Sequence, residues 1–165
     1  MINAEKNIRG WIIFFIIGLA LSGLTAIPIE TELNFLSGFF SLDSNIGHWL
    51  DKVYQAFHDT NKNYPFLAYG YDWLAFAHLV LAILFIGPLK HPVRNKWVIE
   101  FGMIACMLII PFALIAGHYR GIPLVWRFID CSFGIIGIFP LLICLRQINK
   151  LENIHAKNYD YETND

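Results

Sequence analysis

Charge is what this chain has least of. Only 15% of its 165 residues are Asp, Glu, Lys or Arg, and 56% are hydrophobic. Soluble domains carry roughly 25% charged and 45–50% apolar residues, so the chain falls outside the soluble class. Its formal net charge is −1, which leaves no basic footprint for nucleic acid, and none is expected as a partner. Cysteine is scarce as well. Cys106, Cys131 and Cys144 stand singly inside apolar segments, a spacing that offers neither a zinc cluster nor a disulfide framework and fits small buried hydrophobes. No Walker loop, His-Glu-x-x-His run, Cys-x-x-Cys pair or internal repeat occurs, so no motif-defined nucleotide, metallopeptidase or thiol-redox class is indicated.

What is abundant is uninterrupted apolar length. Runs cover about 11–27, 73–89, 97–116 and 124–145, each near the ~17–25 residues that a helix needs to cross a bilayer. Backbone groups in lipid must be satisfied within their own segment, so the runs are expected to be helices. The expected fold is an all-α integral membrane protein: a four-transmembrane-helix bundle over residues 1–150, followed by a polar, disordered tail at 151–165.

Basic residues set the expected orientation. Lys6 and Arg9 precede the first run, Lys90, Arg94 and Lys96 join the second to the third, and Arg146 and Lys150 follow the fourth. By the positive-inside rule these flanks and both termini face the cytoplasm, in a plasma (inner) membrane. Lys6 and Arg9 also imitate a signal peptide, with Gly18-Leu19-Ala20 as a small-x-small site. An uncleaved span is favoured, because the run continues to Ile27 and Gly18, Ser22 and Ala26 form a four-spaced small stripe suited to packing against a protein partner or a second copy.

The one long connection, 28–71, carries Ile46, Trp49, Leu50, Val53, Tyr54 and Phe57 at helical spacing, which predicts an amphipathic helix over about 45–58 in the outer interface. Ser44 is its expected N-cap and Thr60–Pro65 the turn after it. His48 and Asp51 on its polar face supply too few ligands for a metal, and no metal site is assigned.

Ionisable groups at span ends carry what the sequence reveals of function, because each is costly in lipid. Counted at 1.5 Å per residue, Glu30, Asp72, His118 and Asp130 all stand about 24 to 31 Å from the basic ends of their helices. Arg120, Trp126 and Arg127 lie in or beside that same outer layer. Salt bridges between these arginines and the acids are one expectation, with Arg127 and Asp130 three apart on one helix. A ligand site is the other: Glu30, His118, Arg120, Trp126 and Arg127 as binding residues, and His78, Asp72 and Asp130 as acid–base groups.

His78 stands near mid-membrane, as a histidine bonded across helices or a proton relay. It also raises a b-type haem held between histidines, but His118 lies about 15 Å away in depth by the same count, and pairing with Met103 or Met107 has no further support. In length, span number and outer helix the chain resembles the sterol isomerase and sigma-2 receptor group, an architectural likeness with no shared motif, from which no residue is carried over. The leading expectation is a membrane protein that binds or acts on a lipid or small amphiphile. The alternatives are a non-catalytic accessory subunit and a haem electron carrier. Whether it is an enzyme, and its cofactor, are left open by the sequence.

Overall fold

The computed structural model of the protein describes the backbone of residues 2–41 and 43–163, and the side chains of 5–41 and 43–154. Among these described residues are seven α-helices: α1 (Ile2–Ala26), α2 (Ile29–Ser37), α3 (Asn45–Asn63), α4 (Tyr69–Leu84), α5 (Ile86–Lys90), α6 (Lys96–Tyr119) and α7 (Leu124–Thr163), with a 3-10 turn at Pro65–Leu67. The chain is 87% helix with no strand among the described residues.

Among the described residues four helical stretches are long and apolar enough to cross a membrane: Glu5–Ala26, Pro65–Lys90, Lys96–Tyr119 and Leu124–Ile154. At most 28% of the most apolar window of any of them is buried within the protein, and Phe14, Phe76, Phe112 and Phe139 all point outward. Apolar faces turned out in this way are the inverse of a water-soluble helix and suit a lipid solvent. Within the second stretch the helix breaks at Phe85. Pro88 has no N–H to return to the carbonyl of Leu84, four residues earlier, so α4 stops there and the short α5 restarts.

The chain divides into two compact units, Met1–Ile17 with Ile83–Asp165, and Gly18–Ala82. In the first, α6 and α7 form an antiparallel pair. They approach closely because Gly134 of α7 has no side chain: a Cβ there would stand 2.5 Å from the Cys106 carbonyl oxygen, and small residues at a contact allow this in helical membrane proteins. The first part of α1 lies on α7, with Trp11 edge-on to Phe139 at 5.8 Å and the Cys144 thiol 3.6 Å from the Ile8 carbonyl. Ile8, Ile12, Phe85, Ile99, Leu141 and Ile148 form the core of this unit. The three cysteines are buried free thiols.

α7 does not stop where its apolar run ends. Leu151 is buried, and Glu152 accepts a hydrogen bond from the Lys96 ammonium at 2.7 Å. The first residues of the stretch expected to be a disordered tail are thus engaged with α6, while the side chains of 155–163 and residues 164 and 165 lie outside the described residues.

In the second unit, the end of α1 packs on α4 at Gly23, where a Cβ would meet the Ala75 carbonyl oxygen at 2.8 Å and the His78 Cβ at 3.1 Å. Two positions of the small stripe expected to receive a partner stand open among the described residues. Gly18 has nothing within 4 Å and Ser22 is exposed.

The connection 28–71 holds one element that the sequence reading did not name, and one expectation for it is corrected. A separate helix, α2, precedes α3; Pro28 leads into it and Glu30 and Glu32 occupy its first turn, where negative charge is favoured by the helix dipole. The expected turn at Thr60 is still helix, since Tyr64 N–H reaches the Thr60 carbonyl at 2.7 Å and the Asn63 side chain donates to the Asp59 carbonyl at 2.9 Å. Pro65 then ends the helical run. At the other end of α3, Ser44 caps as expected, its hydroxyl accepting from Gly47 N–H at 3.0 Å. Ile46, Trp49, Leu50, Val53, Tyr54 and Phe57 are the less exposed face of α3, and His48, Lys52, Gln55, His58 and Asp59 the more exposed one.

Candidate functional site

In the unit Gly18–Ala82, two of the carboxylates singled out from the sequence come to one place. Glu30 and Asp72 line a pocket of about 240 Å³ together with Thr31, Phe57, Asn61 and Tyr71. The start of α2 supplies Glu30, the last two turns of α3 supply Phe57 and Asn61, and the first turn of α4 supplies Tyr71 and Asp72.

Glu30 is held by α3 at both oxygens. His58 Nδ1 donates to Oε1 at 2.6 Å, and the Asn61 amide donates to Oε2 at 2.9 Å. A carboxylate only accepts, so the shared proton position assigns the N–H of His58 to Nδ1. These two hydrogen bonds, that from His58 first, hold the Glu30 carboxyl below the usual glutamate range, and it is ionised at neutral pH. His58 and Asn61 are the residues that sequence reasoning missed. They sit three apart on one face of α3, a spacing that marks a shared face, but their target lies about thirty residues away.

Asp72 enters no salt bridge among the described residues. Tyr71 and Phe57 rings pack at 4.8 Å between centroids and form an aromatic side to the pocket. Lys52 and Lys62 are the cations of this unit, and neither lines the pocket, so its charge is negative. Among the described residues no group of three or more His, Cys, Asp and Glu side chains is placed to hold a metal ion.

Among the described residues His78 makes no hydrogen bond across helices. Its Nδ1 donates to the Leu74 carbonyl at 2.8 Å, one turn back on its own helix, which satisfies one ring nitrogen and leaves Nε2 as an acceptor.

His118, Arg120, Trp126, Arg127 and Asp130 belong to the other unit and gather around the α6–α7 turn. α6 ends in a Schellman motif: Gly121 is left-handed at φ +67°, its N–H bonds the His118 carbonyl at 3.1 Å, and Ile122 N–H bonds the Gly117 carbonyl at 2.9 Å. Only glycine takes that conformation without strain.

The expected Arg127–Asp130 pair is absent from the salt bridges among the described residues. Helical side chains lean toward the N-terminus of their helix, and Arg127 accordingly reaches back over the end of α6, donating from Nη1 to the Leu114 carbonyl at 3.4 Å. A cation near a helix C-terminus is favoured by the exposed carbonyls there. Trp126 is half-buried, and His118 and Arg120 are exposed. His118 lies edge-on to Tyr119.

No family model, curated protein or solved structure matches the chain.

Proposed function

We propose that this is a multi-pass protein of the plasma (inner) membrane with both termini cytoplasmic, and that its pocket between α2, α3 and α4 binds the cationic head of a lipid or small amphiphile. The observation that carries this reading is the joint lining of one pocket by Glu30 and Asp72 beside Tyr71 and Phe57. An ammonium head is what two carboxylates and aromatic faces recognise together. A bare divalent cation is less well served, since Ca²⁺ takes six to eight oxygens. Tyr64, Phe66, Tyr69 and Trp73 are exposed around the start of α4, as expected of an aromatic belt at a membrane interface. α3, with one apolar and one polar face, suits a place in the same interface.

The test is calorimetric titration of the protein in lipid nanodiscs with hexyltrimethylammonium, hexanol and hexanoate. The reading expects saturable binding of the ammonium alone, weakened about tenfold or more by Asp72→Asn or Glu30→Gln, in line with the loss of coulombic attraction to the quaternary cation. Equal binding of hexanol, or indifference to both substitutions, would overturn it.

A second reading, an accessory subunit, draws support from the outward-facing Gly18 and Ser22, which leave the small stripe open to a helix of another chain.

A further inference from the structure

At the basic ends of the helices in the larger unit lies a second, separate pocket of about 400 Å³. Arg9 of α1, Lys90 at the end of α5 and Arg94 of the following turn line it, with Glu5 as the one carboxylate among the described residues. Three cations against one acid leave an excess of two positive charges with His91 neutral. None of the three cations has a carboxylate within 4 Å among the described residues, whereas neighbouring Lys96 is already taken by Glu152. Like charges brought together without counter-charges repel one another, and the arrangement becomes favourable when an anion shares them.

Two further features separate this pocket from a merely basic flank. Its floor is apolar, with Pro92 and Leu151 both buried. Its turn is also fixed in shape: the Asn95 amide donates to the carbonyls of Gly87 at 3.1 Å and His91 at 3.0 Å, so the backbone carrying Lys90 and Arg94 is braced from within. A volume of 400 Å³ lies within the roughly 300–1,000 Å³ of small-molecule sites. Arg9, Lys90 and Leu151 stand at or near the ends of the apolar stretches Glu5–Ala26, Pro65–Lys90 and Leu124–Ile154, the level at which headgroups lie if these stretches span the bilayer.

We infer that this pocket is a discrete binding site for one phosphate group, with Arg9 and Arg94 presenting their planar donors to its oxygens and Lys90 adding a point charge. The phosphate is that of an anionic phospholipid or of a soluble phosphate compound, and the site is independent of the ammonium-binding reading of the other pocket.

Native mass spectrometry of the detergent-purified full chain tests this, with phosphatidylglycerol, phosphatidylcholine and inorganic phosphate as separate probes. One phosphatidylglycerol should be retained, at least fivefold better than phosphatidylcholine, and Arg9→Gln or Arg94→Gln should abolish that preference. Lys150→Gln, an exposed cation outside the pocket, should leave it intact. Arg9→Lys and Arg94→Lys keep the charge and replace either glutamine variant that fails to fold; they should lose part of the preference, because lysine cannot bind bidentately. Phosphate binding in millimolar inorganic phosphate, with lipid displaced, supports the site and assigns it to a soluble source. An equal loss in all three glutamine variants would mean diffuse attraction to a basic surface and would overturn the inference, as would failure to bind either phosphatidylglycerol or phosphate.

Discussion

Arg127 lies across Gly117: its Cγ and Cδ are each 2.6 Å from the point where a Cβ on Gly117 would stand. The glycine makes room for the stem of the arginine, and the stem delivers the guanidinium to Leu114. The two residues should therefore act as one unit. Gly117→Val and Arg127→Ala are each expected to cost about 1–3 kcal/mol, by overpacking and by loss of packing respectively. The double variant should cost clearly less than the sum, because neighbouring sites that share an interaction are not additive. Thermal or denaturant unfolding in detergent of all four proteins gives the cycle, and simple additivity would show the pair to be uncoupled.

At Gly121 the cost should be one of backbone alone. Nothing stands within 4 Å of a Cβ there, yet φ is +67°. Gly121→Ala is expected to lose about 1 kcal/mol and Gly121→Asn less, since Asn tolerates the left-handed region better. If Ala and Asn prove equally harmless, the turn does not keep this conformation.

Acid should release α2 from α3. The Glu30 carboxyl titrates below its ordinary value because His58 and Asn61 hold the ionised form. A depressed carboxyl contributes stability that is fully present above its unfolded pKa and is lost as pH falls through the lower folded pKa. Hydrogen exchange of the backbone over Ile29–Ser37, taken relative to the intrinsic rate at each pH, should thus be slow at neutral pH and speed up only below the ordinary glutamate range. In Glu30→Gln it should already be fast at pH 7. Unchanged exchange in the variant would show that the contact does not hold α2.

The three native thiols are buried, so one added surface cysteine reports on its own position. For the proposed topology, Gln55→Cys in intact cells should react with a membrane-impermeant maleimide, and Asn153→Cys only after permeabilisation. The reverse pattern would invert the protein in its membrane.

Gly18→Leu separates the two uses of α1. Gly18 is open and Gly23 closely packed, so the substitution should leave unfolding unchanged and remove any self-association or co-purifying subunit seen by size analysis in detergent. A loss of fold stability comparable to that of Gly23→Leu would place Gly18 inside the protein instead.

The four long helices were readable because each writes its solvent into every residue: a lipid-facing helix is apolar on all sides, and length alone then marks it. The Ser44 cap was readable because capping is local. The pairing of Glu30 with His58 and Asn61 was not, since those partners lie 28 and 31 residues away and nothing periodic links them. The same holds for Lys96 and Glu152, 56 apart. Glu30 and Asp72 shared a depth by residue counting, which is why both were found, while Phe57 served in the sequence only as part of an apolar period. α2 was short enough to be overlooked, although Pro28 followed by Glu30 and Glu32 is a helix-start pattern. On α1 the regular four-residue stripe attracted notice, yet Gly23, off that stripe, is what α4 packs against. Which face of a uniformly apolar helix meets its neighbour depends on the neighbour.

The stretch Leu124–Ile154 has 31 residues, about 46 Å of helix at 1.5 Å per residue, well beyond the ~30 Å of hydrocarbon it would cross. It is indexed to α6 at both extremities, by the glycine turn and Arg127 at one and by Lys96 and Glu152 at the other. A shift of one turn would break both fastenings at once, so the pair has no freedom to slide along its length. If these stretches span a bilayer as proposed, a change in its thickness is expected to lean α6 and α7 together as one strut rather than slide one along the other.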